Sequence, residues 1–500
     1  MHSRSVAVAP SANRSASVPA QLPPAGRDPA AILAELAGYS SDDPAYKEGR
    51  LWSLVYYLDE SHEQFLHQAY RAYSSANGLN PSAFKSLKRL EGDIIASTLG
   101  LLNGPPDACG VVTSGGTESC LLAVKTYRDM ARTERGITAP EMIVPPTAHV
   151  AWYKAAEYFD VKLRFLQLDA SLHADAGQLD RLIGKNTIMV LGSAPEYPHG
   201  SIDPIEAMGR ITQARQVPLH VDACVGGFIL PFMAMNGVAL PLWDYRVPGV
   251  TSISADLHKY GYAAKGASTI TYRRHDILKH QMFVYTEWPG GMFASPALLG
   301  TRPGGAYAAA WAALQYFGVA GYRALAADTY AAFTTLRRGI EALPDLCVLG
   351  DPSGPLLAYG STNKAVNIYA VGDRMGAKGW QINRCQNPAG LHAMITAQHL
   401  KVVDDYLNDL RESVEAVKAN PELAKEGSAA TYGMMAHLPL RGMVKRQVLD
   451  LFSQSYRQGA EAPSLSPPAP KAAHAGAEPV AHKPPLLERL AAWYIARRHG

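Results

Sequence analysis

The stretch Ser252-Ile-Ser-Ala-Asp-Leu-His-Lys259-Tyr-Gly-Tyr-Ala-Ala-Lys265-Gly-Ala-Ser268 decides how this chain is read. A short strand-forming run, Ser252-Ile253-Ser254, leads into the adjacent pair His258-Lys259. A second lysine, Lys265, follows among small side chains. The neighbours of Lys259 are small and partly apolar, which predicts burial. Burial penalises an ammonium and lowers a lysine pKa. A partly neutral amine can condense with an aldehyde to form a Schiff base.

Working outward, the spacing predicts short strands at Gly110 to Thr113, Glu141 to Val144, Val161 to Leu168, Thr187 to Gly192, Pro218 to Asp222, Ser252 to Ser254 and Ser268 to Tyr272. Helical patterns lie between them, at Cys120 to Arg132, Val150 to Phe159 and Ile205 to Arg215. Short apolar strands alternating with helices define an α/β chain with a mainly parallel sheet between helices.

Three strand ends carry chemistry. The turn Ser114-Gly115-Gly116-Thr117 precedes a helix. Its backbone N–H groups can approach an anion, the helix dipole favours negative charge there, and Thr117 adds a hydroxyl. A plain tight turn would read the same way. His149 follows Pro145-Pro146 and opens a helix, where an imidazole can stack on a flat ring or simply cap. Asp222 ends a buried strand, and a carboxylate at that edge faces the ligand crevice of an open α/β sheet. Beneath a pyridine ring it would keep the nitrogen protonated. A salt-bridged or capping aspartate, or a metal pair with His220 lacking a third ligand, are the other readings of Asp222. A phosphate turn, a stacking ring, a pyridinium partner and a Schiff-base lysine are together what pyridoxal 5'-phosphate requires of a protein.

The totals agree. A chain of 500 residues holds more than one domain. Its 47% hydrophobic and 18% charged residues are those of a globular protein. A net charge of +3, with no basic run interleaved with aromatics, excludes a nucleic-acid binder. Cys109, Cys120, Cys224, Cys347 and Cys385 are scattered without C-x-x-C spacing, which argues against a disulfide framework or a metal site and for a reducing compartment. There is no run of 18 apolar residues and no apolar leader at the N-terminus, so no membrane-spanning helix and a cytoplasmic location are expected.

The expected organisation is a disordered tail over 1–28, a helical segment over 29–105 for dimer and substrate contacts, and a large cofactor-binding domain over 106–340. A smaller α+β domain follows over 341–459. The Ala/Pro-rich tail over 460–500 closes with an amphipathic helix from Pro485 to Arg498. Within the small domain, Cys347-Val-Leu, Leu356 to Tyr359 and Ala365 to Ala370 read as strands. Upstream of it, Ala306 to Phe317 and Tyr322 to Leu343 read as helices.

The wording of several stretches goes further. Val112-Thr-Ser-Gly-Gly-Thr-Glu-Ser119, Ala148 to Ala156, Tyr197-Pro-His-Gly-Ser-Ile-Asp-Pro204, Pro218 to Phe228, Gly249 to Tyr262 and Gly300-Thr-Arg-Pro-Gly-Gly305 resemble the group II decarboxylase branch of fold-type I pyridoxal-phosphate enzymes. Within that branch the chain is similar to the sphingosine-1-phosphate lyase family, from about Gly49 to Phe452. Ala377-Lys-Gly-Trp380 and Thr431-Tyr-Gly-Met434 fit as well.

The resemblance implies a homodimer with active sites shared between subunits and a phosphorylated sphingoid base as substrate. Lys259 would carry the cofactor as a Schiff base. Gly116, Thr117 and His258 would hold its phosphate, with Thr301 arriving from the partner subunit. Asp222 would pair with the pyridinium and His149 would stack on the ring. Tyr56, Asn77, Asn80 and Lys265 would line the substrate-phosphate site, with Tyr197 near the substrate. Lys259, Tyr56 and Tyr197 are the candidates for the base, and no metal is implied.

The departures are at the substrate end. Where the family usually has Asn-Pro-Leu-His-Pro, this chain has Asn77-Gly-Leu-Asn80-Pro81, and Tyr56 is followed by Tyr57-Leu58-Asp59. The membrane helix of eukaryotic members is missing, as in soluble bacterial forms. An amino-acid decarboxylase, or a lyase for another phosphorylated amino alcohol, is the alternative expectation.

Overall fold

The apolar runs of the middle third assemble into one seven-stranded sheet in the computed structural model, which describes residues 22–80, 82–427, 429 and 441–457. Its strands are β1 (Cys109–Thr113), β2 (Glu141–Val144), β3 (Lys162–Phe165), β4 (Thr187–Ser193), β5 (Leu219–Asp222), β6 (Val250–Ala255) and β7 (Ser268–Tyr272). They lie in the order β1-β7-β6-β5-β4-β2-β3. β7 is antiparallel to both neighbours and every other pairing is parallel. β4 is buried at every position and β5 likewise, which is why both read as continuous apolar runs rather than alternating ones. The sheet is therefore mainly parallel, of the α/β class, as expected. The strand expected over Val161 to Leu168 is shorter, because the chain leaves the sheet after Phe165.

The helices Lys85–Leu101, Gly116–Arg135, Val150–Phe159 and Ile205–Ala214 cover the sheet. Leu87, Leu90, Ile94 and Ile95 of the first form its buried stripe. After a short hairpin, β8 (Phe283–Tyr285) with β9 (Phe293–Ser295), a long helix runs from Gly304 to Glu341. The two helices expected there are present, separated at Gly318, whose φ of 53° and ψ of −171° are not helical and suit glycine.

A second sheet is antiparallel throughout, with β10 (Leu346–Leu349), β11 (Leu356–Ser361), β12 (Asn383–Cys385) and β13 (Gly390–Met394) in the order β10-β11-β13-β12. The strand expected over Ala365 to Ala370 is instead the start of the helix Ile368–Ala377. Asn367 decides this, since its side-chain oxygen accepts from the Tyr369 and Ala370 amides at 3.0 and 3.2 Å and caps the helix.

Both sheets belong to one compact unit, Pro44–Ala424. The flanking segments form another, with helices at Pro29–Tyr39 and Arg441–Ser455. The disordered tail expected over 1–28 falls largely outside the described residues. The Thr431 to Met434 stretch and the terminal helix from Pro485 to Arg498 lie wholly outside them. Among the described residues no helix is long and apolar enough to cross a membrane.

Candidate active site

The site forms where five parallel strands end. β1 runs into the Ser114–Thr117 turn, β2 leads to His149, β4 to Tyr197, β5 ends on Asp222, and β6 delivers His258 and Lys259. Parallel strands place their carboxyl ends on one edge, so residues scattered over 150 positions of chain converge there. They line a cavity of about 410 Å³ that includes Gly116, Thr117, His149, Tyr197, Asp222 and Lys259.

Asp222 is buried and fully occupied. Trp152 Nε1 donates to its Oδ2 at 2.8 Å and the Cys224 amide to its Oδ1 at 3.1 Å. Burial pushes the carboxyl up. The donors on it, with His149 and Lys259 nearby, outweigh burial and hold it below the usual carboxylate range. It is thus an anion at neutral pH, suited to a pyridinium partner. His220 bonds Ser252 Oγ at 2.7 Å and Ser254 Oγ at 3.2 Å, so it supports the sheet and makes no metal pair with Asp222. Burial lowers its pKa to about 4.

His149 caps the helix that follows it, its Nδ1 accepting from the Ala151 amide at 3.2 Å. Partial desolvation lowers its pKa, which keeps the ring neutral and free to stack.

Lys259 departs from expectation. Its Nζ lies 2.9 Å from Oδ2 of Asp256, three residues back across a turn. Burial pulls the lysine pKa down, but Asp256, Cys224 and Tyr56 together outweigh burial and the net shift is well upward. The expected neutral lysine is therefore an ion-paired ammonium, with Asp256 its ion-pair partner and the first of the groups that raise its pKa. Beyond that ion pair, the Asp256 oxygens accept no hydrogen bond although the residue is buried. His258 Nε2 lies 3.7 Å from the same carboxylate, and its Nδ1 accepts from the Ala267 amide at 3.2 Å.

The missing side chain at Gly116 leaves room for the Asp256 carboxylate and the Cys224 thiol. A Cβ added at Gly116 would lie 2.6 Å from Asp256 Oδ2 and 3.0 Å from Cys224 Sγ. Ser114 is tied down through its amide to Glu118 Oε2 at 2.7 Å, and Gly116 opens the helix. A glycine cradle at a helix start, a buried anionic partner and a lysine at the far wall fit pyridoxal phosphate. Gly116→Ala is expected to weaken cofactor uptake at least ~10-fold, since the methyl would displace the carboxylate or the phosphate from the cradle. Absorbance titration of the apoprotein with pyridoxal phosphate measures this.

Lys265 and Tyr56 meet beside the cavity, where Lys265 Nζ also lies 3.4 Å from the His258 carbonyl. Lys265 Nζ sits 5.0 Å from the Tyr56 ring centroid and donates to the Leu54 carbonyl at 2.8 Å. Lys265 is open to solvent in the single subunit, yet enough protein surrounds it to lower its pKa to about 8 by desolvation, with the Lys259 charge adding to this.

Asn77, Asn80 and Thr301 lie elsewhere. Asn77 Nδ2 donates to Thr301 Oγ1 at 3.2 Å, and none of the three lines the cavity of their own chain. Asn80 Oδ1 accepts from the Ser82 and Ala83 amides at 3.0 and 3.2 Å, so its carbonyl is used by the turn.

Sequence reasoning missed Asp256, Trp152, Asn383 and His392. Asp256 stands three residues before Lys259 across a tight turn, and Trp152 stands three after His149, one turn into the helix that His149 caps. Cys120 and Cys224 also come together with Asp222, their ligand atoms within 4.8 Å of one another, although the sequence scatters them.

This fold and site define a pyridoxal-phosphate-dependent enzyme of fold-type I. The pyridoxal-dependent decarboxylase conserved domain matches residues 92–360. The sphingosine-1-phosphate lyase of Oryza sativa subsp. japonica is 44% identical over 401 residues, covering 79% of this chain and 74% of the rice protein. That of Saccharomyces cerevisiae is 39% identical, covering 88% and 76%. The solved sphingosine-1-phosphate lyase of Burkholderia pseudomallei superposes with a TM-score of 0.79 at 37% identity, covering 87% of this chain and 97% of that one. The chain belongs to the sphingosine-1-phosphate lyase family.

Proposed function

We propose that this lyase cleaves the C2–C3 bond of sphingosine 1-phosphate, or a related phosphorylated sphingoid base, by a retro-aldol reaction. The products are a long-chain aldehyde and phosphoethanolamine. The observation that carries this reading is the placement of Lys265 and Tyr56 beside a cavity lined by Lys259 and Asp222, with Lys265 Nζ 3.4 Å from the carbonyl of His258, the neighbour of Lys259. A cation so placed can grip a substrate phosphate while the amino group reaches into the cavity, and that grip sets which bond is aligned for cleavage.

Bound pyridoxal phosphate supplies a carbonyl for the substrate amine and a ring that accepts electrons. The chain supplies the rest. Gly116, Thr117 and His258 would hold the cofactor phosphate, and Thr301 from a second subunit would complete the cradle. Asp222 would keep a proton on the ring nitrogen and His149 would cover the ring face. Burial pushes the Tyr56 and Tyr197 phenols up, so both stay protonated and suit donation. The Lys259 amine would be the group to accept the C3 hydroxyl proton.

Wild-type protein loaded with pyridoxal phosphate should release long-chain aldehyde from sphingosine 1-phosphate. Carbon dioxide from amino acids, without aldehyde, would overturn the reading in favour of a decarboxylase.

Lys265 gives a pH test. Its cation, present below its pKa, is lost as pH rises through about 8. KM for the phosphorylated substrate should therefore rise between pH 7.5 and 9 by roughly 10-fold per pH unit at the limit, while Lys265→Ala should show a high, flat KM. Steady-state kinetics across that range decide it.

The working form is taken to be a cytoplasmic homodimer. The separation of Asn77, Asn80 and Thr301 from their own cavity supports a site completed by a second copy. So do the exposed Phe283, Val284, Tyr285 and Trp288 on and beside the β8–β9 hairpin. The five free cysteines support a reducing compartment. Light scattering should return twice the chain mass, and a monomer carrying full activity would contradict the shared site.

A further inference from the structure

Tyr197 is gripped from the second sheet. Asn383 on β12 and His392 on β13 are register partners across that strand pair. Asn383 Nδ2 donates to the Tyr197 hydroxyl at 3.1 Å. The His392 ring lies against the Tyr197 ring at 4.5 Å between centroids, and its Nε2 donates to the Tyr197 backbone carbonyl at 2.9 Å. On its other side Tyr197 meets His149 edge-on, at 5.8 Å and 82°. The phenol thus stands between the cofactor-stacking histidine and a two-strand clamp, with its hydroxyl at the cavity wall.

We propose that Asn383 is the positioning residue that keeps the Tyr197 hydroxyl aimed into the cavity as a hydrogen-bond donor to substrate. A phenol has one proton and two acceptor lone pairs. The Asn383 amide occupies one lone pair with a donor, so the hydroxyl proton has no use for Asn383 and is left to point at the cavity. The same donor stabilises negative charge on the phenol oxygen, which eases proton release as a substrate oxygen develops charge. His392 fixes the ring plane and backbone, and Asn383 sets the proton.

The titratable groups around Tyr197 are consistent with this. Lys259 from the β6 turn and Cys385 from β12 act on it through space. Tyr56, His149 and His392 complete its surroundings. Burial keeps His392 neutral, near a pKa of about 4, and raises Cys385 to about 12. Neither competes for the phenol proton at neutral pH.

The inference rests on the proposed reaction only for its kinetic arm, so the test has two arms. In the first, 3-fluorotyrosine is placed at position 197 and its ¹⁹F shift titrated with and without Asn383→Ala. The variant should titrate at least half a pH unit higher, because the donor that stabilises the ionised phenol is gone. An unchanged titration overturns the proposal, whatever the substrate proves to be.

In the second arm, Asn383→Ala should lower kcat ~10-fold with KM within ~2-fold, and should cost less than ~2-fold more in a Tyr197→Phe background. Additive losses in the two backgrounds would mean a merely structural role and overturn it. Asn383→Asp, which can only accept and would draw the phenol proton away from the cavity, should be at least as impaired as Asn383→Ala. Wild-type turnover by Asn383→Asp would overturn it too. Visible absorbance of the bound cofactor shows that each variant retains the site.

Discussion

Lys259→Ala is expected to abolish aldehyde release from sphingosine 1-phosphate and to remove the visible absorbance of the lysine-bound cofactor. The loss should reach at least ~10³-fold, because the side chain acts twice and covalent partners act as a unit. It holds the cofactor covalently at rest, and it is the closest amine able to accept a proton once substrate has displaced it. The cofactor should still enter, since Gly116, Thr117, His149 and Asp222 remain. Quenching of Trp152 fluorescence by added pyridoxal phosphate reads this entry, because the indole bonds Asp222 at 2.8 Å. Turnover surviving in Lys259→Ala would sink the mechanism. The ion pair with Asp256 adds a direction: attachment of the cofactor to Lys259 requires the ammonium to lose a proton that the 2.9 Å contact stabilises. Asp256→Asn should therefore let Lys259 react at lower pH than the wild type.

Asp222→Asn should reduce kcat by ~10²–10³-fold, the range for losing one preorganised charge at a reacting system. The amide preserves shape but has a single acceptor oxygen, so it keeps one of the bonds from Trp152 and the Cys224 amide and sets its NH2 against the other donor; retained cofactor absorbance shows that the fold survives. What is lost is the negative charge that keeps the pyridine nitrogen protonated. The burial that surrounds Asp222 makes this effect large, since a charge pair weakens little in a site without water. The effect should fall on kcat, with cofactor still bound and visible. A kcat within 10-fold of wild type would show that the ring nitrogen does not depend on this carboxylate.

The site was legible in the sequence to an uneven depth. The glycine turn, His149, Asp222 and the His258-Lys259 pair could be found because each sits at the end of an apolar run, and such runs announce parallel strands. The protonation of Lys259 could not be found that way. It depends on whether the Asp256 carboxylate turns toward the amine or toward water, and adjacency in sequence does not say which. The helix at Ile368 was misread for a similar reason. Val366, Ile368 and Tyr369 look like a strand, and a single asparagine side chain capping two amides made the run helical.

The sequence by itself determined the class. The order of strands, the residues at their carboxyl ends and the Schiff-base lysine follow from local patterning, because a buried parallel sheet needs continuous apolar runs and a ligand crevice needs polar residues just beyond them. Only the tertiary structure decided how those residues are charged and aimed. Asn383 reaches Tyr197 from 186 positions away, and Trp152 reaches Asp222 from 70. Lys265 likewise meets Tyr56 and Leu54 from a distant part of the chain. Hydrogen bonds and desolvation act over a few ångströms of space, so which groups share those ångströms is settled by packing and by nothing in the linear order.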